Sequence, residues 1–437
     1  MSASKHGSLL QTDPHTKKRN AAEKRFRMYG LSAIGIAVIA LVILLVSIIG
    51  NGASSFRQTY ISFPVTINAA EIEAAESALL KTGAYNKIIQ TSLLTYLTEN
   101  DLLQDIPEAD AFGMISDEAG ATFRRFILAD PEAAGTTFQL NLLANGRIDG
   151  YFKGRVTAQT ALLDQNVTPA QLVLADRLAD QGALVKRFNW AFFTNPDASD
   201  QRPEAAGLGV AILGSLYMMA VVLCLALPIG VAASIYLEEF ARKSWITDVI
   251  EVNIANLAAV PSIVYGILGL AIFINFAELN QSSPLVGGLV LTLMTLPTII
   301  ISTRASLKSI PPSIRDAALG VGASKMQSVF HHVLPLAAPG ILTGTIIGLA
   351  QALGETAPLL LIGMVAFVKE YPAAWSPDAG LFGEASTALP VQVFNWTQRS
   401  DPAFVERASG AIITLLIFLL IMNALAIFLR KKFERRW

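Results

Sequence analysis

The sequence is short of charge: only 15% of its 437 residues are Asp, Glu, Lys or Arg, against ~25% in ordinary soluble domains. A chain this poor in charge cannot cover a water-facing surface, which excludes a soluble enzyme and a disordered protein. It has one cysteine, Cys224, inside an apolar run, so no internal disulfide can form and a disulfide scaffold is excluded. Basic surplus is also missing: 33 Lys and Arg face 34 Asp and Glu, a net charge of -1. Nothing is left to neutralise a phosphate backbone, which argues against nucleic acid as a partner. No G-x-x-x-x-G-K-[ST] string occurs, so the chain has no P-loop with which to bind ATP.

Apolar residues are abundant, at 53% of the chain with a mean hydropathy of +0.49. They gather in runs of about 20 residues, each long enough to cross a bilayer core of ~30 Å. The first run, 31–50, follows a leader (1–30) carrying Lys17, Lys18, Arg19, Lys24, Arg25 and Arg27. A signal peptide has a shorter apolar region, ~7–15 residues, ending at a small-residue cleavage site, so this run reads as an uncleaved anchor. Further spans are legible near 208–236, 250–277, 285–305, 337–357 and 409–429. Six crossings put both ends on one side. The inner segments 1–30, 237–249, 304–335 and 430–437 hold 18 of the 33 Lys and Arg, and the two short outer loops hold three. By the positive-inside rule both termini face the cytoplasm. The expected fold is therefore an all-α polytopic membrane protein with six transmembrane helices. Its expected segments are a cytoplasmic leader 1–30, a first span 31–50, an outside insert 51–206, a membrane domain 207–430 and a cytoplasmic tail 431–437.

The insert of about 155 residues suffices for one modest domain. Ala69–Leu80 and Pro169–Gln181 carry apolar residues at three- and four-residue spacing, which predicts a mostly helical body. Asn145-Gly146 and Asp149-Gly150 signal turns around a short extended stretch. The insert has no histidine, no metal-ligand spacing and no nucleophile arrangement, which favours a packing or partner-contact module. Asp197–Pro203, polar and proline-containing, reads as the linker back to the membrane.

Within the spans, polar residues stand out because they are costly in lipid. Gly340, Gly344, Gly348 and Ala352 recur every four residues, a stripe that lets helix backbones approach closely. Gln351 and Glu355 lie on the same seam as Gly344 and Gly348, and such a face points to a cavity or a neighbouring helix rather than lipid. Glu355 is a pathway or gating candidate, with a structural ion pair as the other reading, and Gln351 is a second pathway candidate. Thr292, Thr295, Ser302 and Ser306 share a stripe of the fourth span, which makes Thr295 and Ser302 further pathway candidates. Arg304 at its inner end is either a positive-inside anchor or a substrate ligand. Pro261 at mid-span predicts a kink, and a break is expected near Ala357-Pro358 because 336–368 is too long for one crossing.

The cytoplasmic stretch Ser309–Gly340 predicts a short helix–turn–helix at the membrane surface. Pro311 and Pro312 end the preceding span, Ser313 can cap the next helix, and Asp316 falls in its favoured first turn. Gly320 and Gly322 then stop it. The order Asp316-Ala317-Ala318, Gly322, and Leu334-Pro335 resembles the EAA loop of ABC importer permeases. Asp316 stands where that family usually has glutamate, and His332 where isoleucine is common. Pro261–Gly266, Leu296–Ile300, Gly354–Leu360 and Phe193–Pro196 narrow the resemblance to the phosphate ABC importer permeases, in a long form with an amino-terminal insert. Relatives often carry arginine at the position of Gln351.

That resemblance implies alternating access in a bacterial inner-membrane importer of inorganic phosphate, with 51–206 in the periplasm. It implies a second permease subunit, two ATPase subunits docked at Pro312–Lys325 within the loop 309–335, and a periplasmic phosphate-binding protein. ATP and Mg would be bound by the ATPases, with no cofactor in this chain. Two alternatives remain: a permease for another oxyanion such as sulfate or molybdate, or a membrane-anchored sensor using the insert. An intramembrane enzyme is disfavoured, because His331-His332 lack a carboxylate at metal-site spacing.

Overall fold

The computed structural model describes residues 14–130, 135–365 and 367–433. The leader's first thirteen residues and the tail's last four lie outside them, as does Ala366. By internal contacts the chain divides into residues 1–51 and 52–437. The described part of the first unit lies in one helix, α1 (Pro14–Gly52), whose apolar half coincides with the expected span at 31–50.

The second unit begins with the insert. Its helices are α2 (Ala69–Ser77), α3 (Lys81–Glu99), α4 (Glu108–Phe112), α5 (Ala119–Ala129), α6 (Gly146–Phe152), α7 (Ala158–Ala161) and α8 (Pro169–Asp180). They pack on a three-stranded antiparallel sheet that the helical expectation did not include. Strand β1 (Arg57–Thr66) lies between β2 (Thr137–Leu143) and β3 (Leu184–Phe188). Ile61, Phe63 and Val65 of β1 alternate into the core against Tyr85, Ile89, Leu93 and Phe123. Pro64 is tolerated because β3 pairs β1 only to Ile61, leaving one side of β1 open beyond it. The extended stretch is 137–143 rather than 145–150. Asn145 instead caps α6, its Oδ1 accepting the Arg147 N–H at 2.9 Å.

The membrane part comprises α10 (Gly209–Ile235), α11 (Trp245–Ala258), α12 (Ser262–Gly269), α13 (Pro284–Lys308), α16 (Leu334–Gly354) and α19 (Pro402–Phe433). Between the insert and α10 runs the short α9 (Ala191–Thr194). Among the described residues five helices, α1 included, are long and apolar enough to cross a membrane, or six when α11 and α12 count as one broken span. The break bends that pair by 102°, far more than a kink, because Pro261 ends the first helix and caps the second. The fifth span breaks at Glu355, two residues before the expected site. Glu355 is extended, and a short α17 (Ala357–Leu361) follows.

Insert and membrane part meet through a buried ionic cluster. Lys153 bridges Asp149 at 2.7 Å and Glu406 at 2.9 Å, and Arg155 reaches Glu406 at 2.6 Å. Below it Arg407 Nη2 donates to Gln58 Oε1 at 2.7 Å and to the Glu204 carbonyl at 2.9 Å. Burial raises the Glu204 carboxyl above its ordinary range, against the Ser116 hydroxyl that donates to it. Asp149 and Glu406 are 3% and 4% exposed, so losing one partner would strand a charge, at ~3–5 kcal/mol. The linker is likewise fixed: Asp197 accepts Trp396 Nε1–H at 2.9 Å and pairs with Arg399 at 2.5 Å, both on or beside α18 (Leu389–Gln398).

At the far side of the insert, Glu76 accepts from Arg124 at 2.6 Å, Lys81 at 3.0 Å and Tyr85 at 3.2 Å. Arg124 foremost, then Lys81, hold its carboxyl down from 4.5 to about 2. A depressed carboxylate contributes stability that is present above the unfolded value and lost as pH falls through the folded one. The hydrogen-exchange protection of the α3 and α5 amides, taken relative to the unfolded-chain rate at each pH, is therefore expected to fall between pH 4.5 and 2. In Glu76→Gln exchange should already be faster at pH 7 and should lose that component.

Candidate functional site

The loop between α13 and the fifth span is built by proline and glycine punctuation. After α13 the chain turns at Pro311, which occupies the cap of α14 (Pro312–Gly320). Ser313 therefore lies inside the helix and does not cap it, and Asp316, the fifth helical residue, falls past the first turn. Gly322 has φ +92°, its N–H bonds the Leu319 carbonyl at 2.9 Å, and the Ala323 N–H bonds Ala318 at 3.1 Å. That is a Schellman stop, which requires a left-handed residue at this position. Ser324 and Gln327 then form a reciprocal capping box for α15 (Lys325–Ser328). A wide π turn, Val329–Val333, leads into α16 at Leu334. Pro335 explains the widening, because it lacks an N–H and its ring would strike a carbonyl of the preceding turn.

One residue ties this element to the bundle. Arg315 Nε and Nη2 donate to Glu239 Oε1 at 3.0 and 2.6 Å. Its Nη1 and Nη2 also donate to the Ile310 and Leu307 carbonyls at 2.9 and 3.0 Å, at the end of α13. Glu239 lies in the π turn closing α10 and is only 7% exposed. One planar guanidinium thus joins α14, α13 and α10. The Lys325 ammonium lies 5.4 Å from the Phe240 ring centre, a second tie to the same turn. Asp316, Ala317, Leu319, Val321 and Met326 are exposed, and Ala318 is buried.

The small-residue stripe of α16 lies on α13. Added Cβ atoms at Gly340 and Gly344 would stand 2.4 and 2.0 Å from the Ser306 and Ser302 hydroxyls, and one at Gly348 would meet Ile299 and Thr295. Ser302 and Thr295 turn their hydroxyls back to the Ile299 and Leu291 carbonyls, at 3.1 and 2.9 Å. Both occupy this helix contact rather than an open channel. Arg304 pairs with Glu251 of α11 at 2.5 Å and approaches Glu238 at 3.5 Å. It is neither a free anchor nor a free ligand. Gln351 is exposed. Glu355 is half-buried, and its carboxylate makes no ion pair or hydrogen bond among the described residues. His331 and His332 are exposed, and no group of metal-ligating side chains occurs among the described residues.

The loop and the glycine stripe are thus two separate features, 30 residues apart in places, and Glu355 stands at the opposite end of α16 from the loop. Arg315 and Glu239 were not singled out by the sequence reading. The available signal was the pair Glu238-Glu239 at the inner end of an apolar span, where two carboxylates need cationic partners.

Residues 13–161 match the family model "Domain of unknown function (DUF3333)", and residues 226–437 match "Binding-protein-dependent transport system inner membrane component". The phosphate transport system permease protein PstA of Yersinia pestis is 32% identical over 234 residues, 53% of this chain and 76% of that protein. The probable ABC transporter permease protein YqgI of Bacillus subtilis is 30% identical over 251 residues, 55% of this chain and 83% of that one. A solved inward-facing MetNI methionine ABC transporter chain aligns at 15% identity, covering 52% of this chain and 97% of that one, with a TM-score of 0.40, too low to carry weight.

Two substitutions separate loop from stripe. Gly344→Val is expected to force α16 off α13, costing about 3 kcal/mol or more through overpacking, read as a lower thermal midpoint in detergent. Arg315→Ala is expected to leave Glu239 unpaired, costing about 2 kcal/mol after allowance for its partial exposure, and to open α14 to proteolysis. An unchanged cleavage pattern would show that Arg315 does not hold α14 in place.

Proposed function

The chain belongs to the phosphate-transport permeases of binding-protein-dependent ABC importers, and on that premise we propose that it is one permease subunit of an ATP-driven importer of inorganic phosphate. It is a multi-pass, non-enzymatic transport subunit. In this reading a second, PstC-like permease completes the pathway, two PstB-like ATPases bind ATP and Mg on the cytoplasmic side, and a PstS-like binding protein delivers phosphate outside. Both termini then lie in the cytoplasm and the insert in the periplasm, as the basic-residue count favours.

The observation that carries the reading is the loop's construction. It projects exposed apolar side chains, Leu319 from the short helix α14 that Arg315 clamps to α10 and α13, Val321 from its C-cap and Met326 from α15. An ATPase cleft that takes up α14 gains buried apolar area there. When nucleotide closes the ATPases, the displacement of α14 passes through the Arg315–Glu239 clamp into α10 rather than being absorbed by a slack linker. Nucleotide shifts the bundle only by its differential affinity for the inward- and outward-open states. Asp316 and Ala317 lie on the exposed face available to the partner, and Gly322 fixes the angle at which α14 is presented. In this reading Glu355, unpaired among the described residues at the break after α16, gates the pathway, with Gln351 one turn before it.

The test is uptake of radiolabelled phosphate at low micromolar concentration in cells lacking this gene and in complemented cells. Uptake is expected to fall on deletion and return on complementation. Gly322→Asp, whose φ costs an L-residue about 1 kcal/mol, is expected to leave the assembled complex hydrolysing ATP with little uptake. Unchanged phosphate uptake on deletion would overturn the substrate, and sulfate and molybdate would be assayed next. Wild-type coupling in Gly322→Asp would overturn the role of the loop.

A further inference from the structure

The insert carries a basic cleft that the transport reading does not use. In the register of β1 and β3, Arg57 faces Phe188 and Thr59 faces Lys186. Side chains two apart on a strand share a face, so Arg57, Thr59 and Lys186 lie together on one side of the sheet. With Phe152 and Lys153 at the end of α6 they line a cleft of ≈ 440 Å³.

Its charges do not cancel. Asp149 and Glu406 counter Lys153 and Arg155 beneath the cleft. That leaves Arg57 and Lys186 as surplus. Arg57 is exposed, and its guanidinium makes no ion pair or hydrogen bond among the described residues. Lys186 spends one N–H on the Phe152 carbonyl at 2.8 Å, keeping two donors. A second observation is independent of charge. Thr59 is 1% exposed, yet its Oγ1 has no hydrogen-bond partner. A buried hydroxyl is costly to leave unsatisfied, and this one lies on the cationic face. Two cations and a hydroxyl donor match the oxygens of a tetrahedral anion.

We propose that this cleft is a binding site for a phosphate group, held by Arg57 and Lys186 over the Thr59 hydroxyl. Lys153 pairs with Glu406 near the start of α19, which sets the cleft beside the outer end of a span. There both dissolved phosphate and the headgroup of an anionic lipid are within reach. The site does not depend on which oxyanion the permease carries.

The test uses the full-length protein purified in dodecyl maltoside, a detergent without phosphate. One arm measures inorganic [32P]phosphate by equilibrium dialysis, and the other measures retained phosphatidylglycerol by native mass spectrometry. The protein is expected to hold at least one probe, and Arg57→Gln/Lys186→Gln to weaken that probe about tenfold or more. Thr59→Val is expected to weaken it in the same direction at an unchanged thermal midpoint. Binding of dissolved phosphate identifies a free-anion site. Phosphatidylglycerol retained against excess inorganic phosphate identifies a lipid site. Failure to bind either probe, or equal binding of both by the wild type and the double variant, overturns the proposal.

Discussion

Close approach of helix backbones at α13 is the constraint from which the membrane part follows. Lipid tails are as apolar as leucine, so helices in a bilayer gain little by burying apolar side chains and must gain by packing tightly. Glycine supplies the room on both flanks. Gly287 and Gly288 of α13 accept Met218 and Val221 of α10, and Gly340 and Gly344 of α16 accept Ser306 and Ser302 of α13. The Thr295, Ser302 and Ser306 hydroxyls at this seam satisfy themselves on carbonyls of their own helix, so these three need no water to meet the glycine stripe.

What tight packing achieves inside the bilayer, charge achieves at the end of the bundle that carries the loop. The carboxylates of α10 and α11 at that level, Glu238, Glu239 and Glu251, each meet an arginine or lysine of α13 or α14. Such pairs are weak sources of net stability but strongly prefer one arrangement, since a stranded partner is expensive. That end of the bundle is therefore defined in position, and the loop attached to it is rigid rather than merely tethered.

The sequence made the spans legible where length and uniform apolarity suffice, as in 31–50, 208–236 and 285–305. It placed a kink at Pro261 and a break near Pro358 but not the 102° angle of the first, since hydropathy carries no direction. The stripe at Gly344 and Gly348 was readable because its period is local, whereas Arg315 and Glu239 are 76 residues apart and no local pattern joins them. Thr295, Ser302 and Arg304 looked like channel polarity, and only the neighbouring helices show them to be engaged. The sheet was hidden for a different reason: Pro64 interrupts the alternation of β1, and the open side that tolerates it exists only once β3 is seen to stop short.

The ionic cluster at Glu406 and Arg407 bears on how such a chain can be assembled from parts. These two side chains belong to the last spanning helix, yet their partners, Lys153, Arg155 and Gln58, belong to the insert. The insert is therefore not a cassette that could be lifted out to leave a working remainder. Its removal would leave a carboxylate and a guanidinium at the head of α19 with nothing to answer them. Gain or loss of the insert must go together with changes more than 200 residues downstream, so the two regions are bound to vary as a pair.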